Sequence, residues 1–186
     1  YHVGGAGNDG VKGGDGEDVI YGGLDIDWLL GNNGNDIIYG GAALDLISGG
    51  DGVDWLYGEA GDDYLSGGKG NDVISGGAGS DTFVFTANGI DNADLITDFN
   101  VSEDRFHIAD IIIEFDPISD VISDFIAGAT WGTDDMYIAI DRDGADTQES
   151  WTLVATLDGY AADSTVNEVL DVQSLYNNGQ IIILRR

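Results

Sequence analysis

Residues 13–21 read Gly13-Gly14-Asp15-Gly16-Glu17-Asp18-Val19-Ile20-Tyr21, and the following nine, Gly22-Gly23-Leu24-Asp25-Ile26-Asp27-Trp28-Leu29-Leu30, repeat the pattern. Aspartate recurs every nine residues without a gap, at Asp9, Asp18, Asp27, Asp36, Asp45, Asp54, Asp63, Asp72 and Asp81. Five residues before each stands a glycine, from Gly4 to Gly76, and two residues after each stands an apolar residue, from Val11 to Phe83. The unit is Gly-Gly-x-Gly-x-Asp-x-apolar-x, repeated nine times in phase. Agreement at three positions over that many units is the signature of a stacked repeat.

Each part of the unit has a physical role. The glycine-rich first six residues allow positive φ and close backbone approach, so they are expected to form a turn with inward carbonyls. The last three are expected to form a short strand, with the apolar middle residue pointing inward. Two units then make a coil of eighteen residues, and coils stack as parallel strands about 4.8 Å apart. Turns eighteen residues apart lie directly above one another. Asp9, Asp27, Asp45, Asp63 and Asp81 line one edge and enclose four gaps; Asp18, Asp36, Asp54 and Asp72 line the other and enclose three.

The repeat resembles that of the RTX (repeats-in-toxin) family, whose nonapeptides form a calcium-binding parallel β-structure. The resemblance implies a mainly β fold: a right-handed parallel β-roll over residues 1–84, then a small mixed, β-rich capping and secretion domain with two short helices over residues 85–186.

Composition leads to the same cation. The 186 residues include 35 acidic and 6 basic side chains, for a formal net charge of -29. Such a surface repels nucleic acid and anionic membranes. No apolar run is long enough to span a bilayer. Yet 42% of the residues are hydrophobic, too many for a disordered acidic linker. One inward apolar residue per nine makes a thin core, and stacked carboxylates repel one another. Cations between the turns relieve that repulsion. There are no cysteines and two histidines, so a zinc site is poorly served. Calcium takes six to eight oxygens at flexible angles, carbonyls included. We therefore expect about seven calcium sites, with glycine carbonyls completing each shell around the nine aspartates. At free calcium ten times the dissociation constant, each site adds about 1.4 kcal/mol and seven add roughly 10 kcal/mol. Asp and Gly also populate tight turns without metal. Nine stacked turns in so acidic a chain favour the metal.

The two edges differ. The fourth position of the unit is glycine throughout one edge (Gly16, Gly34, Gly52, Gly70), but on the other it reads Gly7, Asp25, Ala43, Gly61 and Gly79. Asp tolerates a left-handed conformation and Ala does so at a cost. The gap between Asp27 and Asp45 is therefore expected to be the weakest site or an empty one. The apolar residues beside it (Leu24, Ile26, Ala42, Leu44) are expected to dock on the C-terminal domain; drift at a tolerant turn is the alternative. Tyr21, Tyr39 and Tyr57 should stack outward on one sheet, with Trp55 on the same face. Such a stripe suits packing between strands and also glycan contact.

Past Thr82-Phe83-Val84-Phe85, an aromatic step suited to capping the roll, the glycine period stops. Asp94-Leu95-Ile96-Thr97-Asp98-Phe99 alternates like a strand. Ile118, Val121, Ile122, Phe125 and Ile126 have helical spacing after Pro117. Met136 to Ile140 and Trp151 to Leu157 read as strands around a polar turn at Asp141-Arg142-Asp143-Gly144. Thr165 and Glu168 form a capping box opening a helix that ends near Gly179, and Ile181 to Leu184 reads as a last strand. Asp141, Asp143 and Asp146 lack the spacing of an EF-hand loop and suit a hairpin turn better. Asp91, Asp94 and Asp98 likewise suit a polar turn better, with closure of a site against the last repeat as the alternative.

This order resembles the target domain of type I secreted RTX proteins, and most of all the tails of giant bacterial surface adhesins. It rests on Gly79-Ser80-Asp81-Thr82-Phe83-Val84, on Ile96-Thr97-Asp98-Phe99, and on Leu175-Tyr176-Asn177-Asn178-Gly179-Gln180. The resemblance implies export, C-terminus first, through an ABC transporter, membrane fusion protein and outer-membrane channel, followed by folding in external calcium. Localisation would be extracellular, secreted or cell-surface. The basic pair Arg185-Arg186 departs from the pattern. Tyr1 suggests a piece of a longer chain, and no signal peptide is seen.

No zinc-protease helix motif or nucleophile elbow occurs. His2 lies at the start and His107 within an expected strand, so both read as structural. No catalytic residue is expected, and the chain does not read as an enzyme. A C-terminal tail of a secreted hydrolase and an autonomous carbohydrate-binding module are the alternatives.

Overall fold

The computed structural model describes residues 1–86, 93–100 and 102–109, and the backbone of four later strands. Ten strands carry the repeat: β1 (His2–Ala6), β2 (Gly10–Asp15), β3 (Val19–Leu24), β4 (Trp28–Asn33), β5 (Ile37–Ala42), β6 (Leu46–Asp51), β7 (Trp55–Ala60), β8 (Tyr64–Lys69), β9 (Val73–Ala78) and β10 (Thr82–Thr86). Odd strands β1 to β9 pair in parallel in one sheet, and even strands β2 to β10 in the other. Every pairing is offset by eighteen residues: Ile20 lies beside Ile38, Ile38 beside Leu56, and Leu56 beside Ile74. This is the parallel β-roll that the period predicts.

The strands are longer than expected. They run six residues in each complete unit, not three, because the Gly-Gly pair continues the ladder. The turn is correspondingly shorter: Asp25, Ile26 and Asp27 separate β3 from β4. Two points in each unit take positive φ, the second glycine and the position two before the aspartate. Ala43 (φ 82°) and Asp25 (φ 70°) adopt the left-handed region as expected, and Asn32 (φ 78°) and Glu59 (φ 73°) adopt it at the second-glycine position.

Between the sheets lies a single file of apolar residues. Ile20, Leu29, Ile38, Ile47, Leu56, Leu65, Ile74 and Phe83 are all buried, none more than 3% exposed. Each full burial of this kind contributes on the order of 1.5–3 kcal/mol. Val11, in the first coil, is only half-buried.

The sheets do not stop with the repeat. β11 (Asp94–Ile96) pairs in parallel with β9, and β12 (Arg105–Ala109) with β10. Later strands β13 (Ile126–Thr130), β14 (Met136–Asp141), β15 (Trp151–Leu157) and β16 (Ile181–Leu184) follow. β15 adds in parallel to β11, β14 and β13 continue antiparallel from it, and β16 adds in parallel to β12. The strands expected at 136–140, 151–157 and 181–184 are all present. Only Asp94–Ile96 of the stretch expected to alternate through Phe99 is strand. The two expected helices fall on residues outside those described, except that Ile126 begins strand β13.

Aromatic rings cap the file of core residues. Phe83, Phe99 and Phe106 are buried, with Phe99 stacked on Phe106 at 4.4 Å between centroids and Phe83 5.7 Å from Phe99. The expected cap at Phe83 and Phe85 thus gains two rings from the non-repeat segment.

Candidate metal centres

The nine repeat aspartates form two columns. Asp27, Asp36, Asp45, Asp54, Asp63, Asp72 and Asp81 are at most 1% exposed, and Asp9 and Asp18, in the first coil, are half-buried. Within each column, the backbone N–H of one aspartate donates to Oδ1 of the aspartate one coil later. Asp9 donates to Asp27 (2.8 Å), Asp27 to Asp45 (2.8 Å), Asp45 to Asp63 (2.8 Å) and Asp63 to Asp81 (3.0 Å). The other column runs from Asp18 to Asp36 (2.8 Å), Asp54 (2.7 Å) and Asp72 (2.9 Å).

That leaves the second oxygen. Oδ2 of Asp9, Asp27, Asp36, Asp45, Asp54, Asp63, Asp72 and Asp81 is buried with no hydrogen-bond partner. A buried, unsatisfied carboxylate oxygen is strongly unfavourable and calls for a positive partner. Each lies close to the first glycine of its own unit. A Cβ on Gly22 would come within 2.5 Å of both Asp27 Oδ2 and the carbonyl oxygen of Gly40 in the next coil; on Gly40 the distances are 2.6 Å to Asp45 Oδ2 and 2.7 Å to the Gly58 carbonyl. The same two kinds of oxygen converge at Gly4, Gly13, Gly31, Gly49 and Gly58. These glycines are required because a side chain would occupy the space in which the oxygens meet.

Seven gaps therefore carry a carboxylate oxygen facing a main-chain carbonyl from the coil above. No group of three or more His, Cys, Asp or Glu side chains with metal-site geometry occurs among the described residues. A cation here must draw on backbone carbonyls, an oxygen-only donor set that suits calcium and not zinc. The Asp27–Asp45 gap has the same hydrogen bond and oxygen pair as its neighbours, and Leu24 and Ile26 beside it remain exposed.

Electrostatics mark the same groups. Burial, reinforced by carboxylates on adjacent coils and opposed by the amide each accepts, pushes Asp45 up to about 6 and Asp54 and Asp63 up to about 7. Asp81 is pushed to about 6 by burial and by Asp104, Asp98 and Asp62. Asp36 and Asp72 are raised by burial as well.

Three aspartates beyond the repeat join this arrangement. Asp94 Oδ1 accepts from the Asp72 amide (3.1 Å) and Asp104 Oδ1 from the Asp81 amide (2.9 Å), so each extends a column by one step. Asp98 instead replaces missing strand: its Oδ1 accepts from the Gly76 amide (3.0 Å), and its Oδ2 from the Gly77 amide (2.9 Å) and Ser75 Oγ (2.6 Å). The sequence reading named Asp94 and Asp98 and missed Asp104. Asp91, Asp143 and Asp146 lie outside the described residues. His2 Nε2 is 3.2 Å from Asp18 Oδ1, and His107 lies in β12.

On the outer face, Tyr21, Tyr39 and Tyr57 form a column with centroids 4.8 and 5.0 Å apart and ring planes within 11°. Their faces are turned to each other, which is the packing role. Trp55 stands on the same face, 39% exposed.

A family model for the RTX calcium-binding nonapeptide repeat (4 copies) matches residues 3–29, 23–56 and 48–83. A comparison with curated proteins returned no match. Among solved structures, the chain is similar to the AlgE6R3 subunit of the Azotobacter vinelandii mannuronan C5-epimerase, at 25% identity and TM-score 0.51, over 91% of this chain and 80% of that one. The AlgE6R2 subunit of the same epimerase aligns at 24% identity and TM-score 0.49, over 86% of this chain and 91% of that one. Extracellular lipase LipA from Serratia marcescens aligns at 18% identity and TM-score 0.38, over 96% of this chain and 40% of that one.

Proposed function

Residues 3–83 are RTX calcium-binding nonapeptide repeats, and from that premise we propose that the chain is a calcium-switched folding and secretion module of an extracellular protein. The observation that carries the reading is the set of eight buried Oδ2 atoms without partners. Without a cation the roll must hold these carboxylates against one another, in a chain of net charge -29. With calcium, opposite charge and further oxygen ligation join each coil to the next. Asp Oδ1 fixes coil spacing through the amide ladder, Oδ2 faces the cation, and the first glycine keeps the space open. At low calcium the chain stays poorly folded, which suits passage through a type I apparatus of ABC transporter, membrane fusion protein and outer-membrane channel. Outside the cell it folds. The resemblance at Ile96-Thr97-Asp98-Phe99 supports that route and an adhesin parent.

Far-UV circular dichroism of the chain, titrated from chelator to millimolar calcium with magnesium as control, tests the switch. A cooperative gain of β-structure with calcium alone is expected. A spectrum already folded in chelator at neutral pH would overturn it. For export, the chain should appear in the medium of cells carrying the apparatus and not of cells lacking the transporter.

One observation favours a second reading. The fold of the AlgE6R3 subunit, part of an enzyme acting on mannuronan, extends over nearly all of this chain. The module would then accompany an enzyme and contact a polysaccharide. Mannuronan is itself anionic, so contact with this acidic surface would need bridging calcium. Calorimetric titration of mannuronan into the calcium-loaded chain tests this reading, and no heat of binding would dismiss it.

A further inference from the structure

The nonapeptide pattern ends at Asp81, but the two aspartate columns do not. Above Asp72 lies Asp94 and above Asp81 lies Asp104, each 3% exposed. Each is joined to the repeat by the same amide-to-Oδ1 hydrogen bond that links successive repeats. Beneath them, Asp72 and Asp81 are 1% exposed and their Oδ2 atoms are buried without partners, as in six of the seven inner gaps. A Cβ on Gly67 or Gly76 would collide with that oxygen as well, but the atoms nearest it all belong to Asp72 or Asp81, so the upper donors here are the carboxylates of Asp94 and Asp104 and not the glycine carbonyl of a further repeat.

Resting on the calcium reading of the roll, we propose that the Asp72–Asp94 and Asp81–Asp104 gaps are two additional calcium sites, each shared between the last repeats and the non-repeat segment.

The upper boundary of the second site is well defined. Asp104 Oδ2 accepts from the Asn100 amide at 2.8 Å, and the Asn100 turn is closed by the Asp104 and Glu103 amides, which donate to the Asn100 carbonyl. The oxygen that is left open in each repeat is thus satisfied in Asp104, and that column ends there. Asp94, opposite, is buried against Asp72, whose own Oδ2 has no partner. Two buried carboxylates in that relation require a proton or a cation between them. Cations in these gaps would fasten β11 and β12 to β9 and β10, and through them the sheets that continue into β15 and β16.

Native mass spectrometry of the full calcium-loaded chain tests the proposal. With one ion to each gap the seven gaps between nonapeptides account for seven ions, so a wild-type count above seven is expected and a count of one to seven would overturn the proposal. The double variant D94N/D104N keeps an Oδ1 acceptor for the Asp72 and Asp81 amides and removes both charges. It should bind two ions fewer than wild type, and an unchanged count would overturn the assignment of these residues. Absence of any bound calcium would overturn the calcium reading itself.

Discussion

Residues 4–84 and the strands that follow them share two sheets but are specified differently. In the roll, every strand finds its partner at a constant offset of eighteen, so the period that reveals the fold also fixes its register. Beyond Phe85 the offset changes: Asp72 meets Asp94 across 22 residues and Asp81 meets Asp104 across 23. The period is lost while the chemistry continues. A repeat thus encodes pairing by counting, and its continuation encodes pairing by matching functional groups to the last coil.

The sharpest way to break the contrast is to fill one of the spaces that the period keeps open. Gly49→Ala would drive a methyl group into Asp54 Oδ2 and to 2.6 Å from the Gly67 carbonyl. It should cost at least about 3 kcal/mol and lower the calcium stoichiometry, both read from calcium titrations followed by circular dichroism. Next in size is the core. Leu56→Ala, at a fully buried position, should destabilise the calcium-loaded chain by about 2–5 kcal/mol, whereas Leu46→Ala, at a position 43% exposed, should change it by less than about 1 kcal/mol. Equal effects in denaturant unfolding would contradict the single-file core.

A third test uses protons in place of calcium. In chelator, Asp45, Asp54, Asp63, Asp81 and Asp94 have folded pKa values of about 6 to 8, above the ordinary 3.8. The fold then binds protons that the unfolded chain releases, so stability falls as pH rises from about 4 to about 8 and is flat above that. In chelator, far-UV circular dichroism should therefore show β-structure gained on acidification from pH 8 to pH 5. With calcium present the order reverses, because protons compete for the same oxygens and weaken binding below about pH 7. The smallest expected effect concerns the Asp27–Asp45 gap. Ala43 holds φ 82° with a Cβ, so Ala43→Gly should stabilise the roll by about 1 kcal/mol. If the Asp27–Asp45 gap is the weakest site, that variant should also tighten the last calcium to bind.

The roll, its core file, its two columns and its seven gaps were legible because one phase carries all of them. Strand length was not, since Gly-Gly reads as turn until its ladder is seen to continue. Asp104 was missed because the insertion before it breaks the phase, although Asp104-Arg105-Phe106 keeps the Asp-x-apolar step of the repeat, as Asp94-Leu95-Ile96 does. The Met136 and Trp151 strands were legible individually, but their docking on β11 was not, because nothing periodic ties them to it.

The aspartate ladder also has a direction. In every step the amide belongs to the earlier coil and the accepting carboxylate to the later one. Shortening the roll from its first coil leaves all remaining aspartate amides satisfied. Deleting Asp94 and Asp104 instead strands the amides of Asp72 and Asp81. Truncations of equal length are therefore unequal in consequence, and a shortened roll tolerates trimming from one end only.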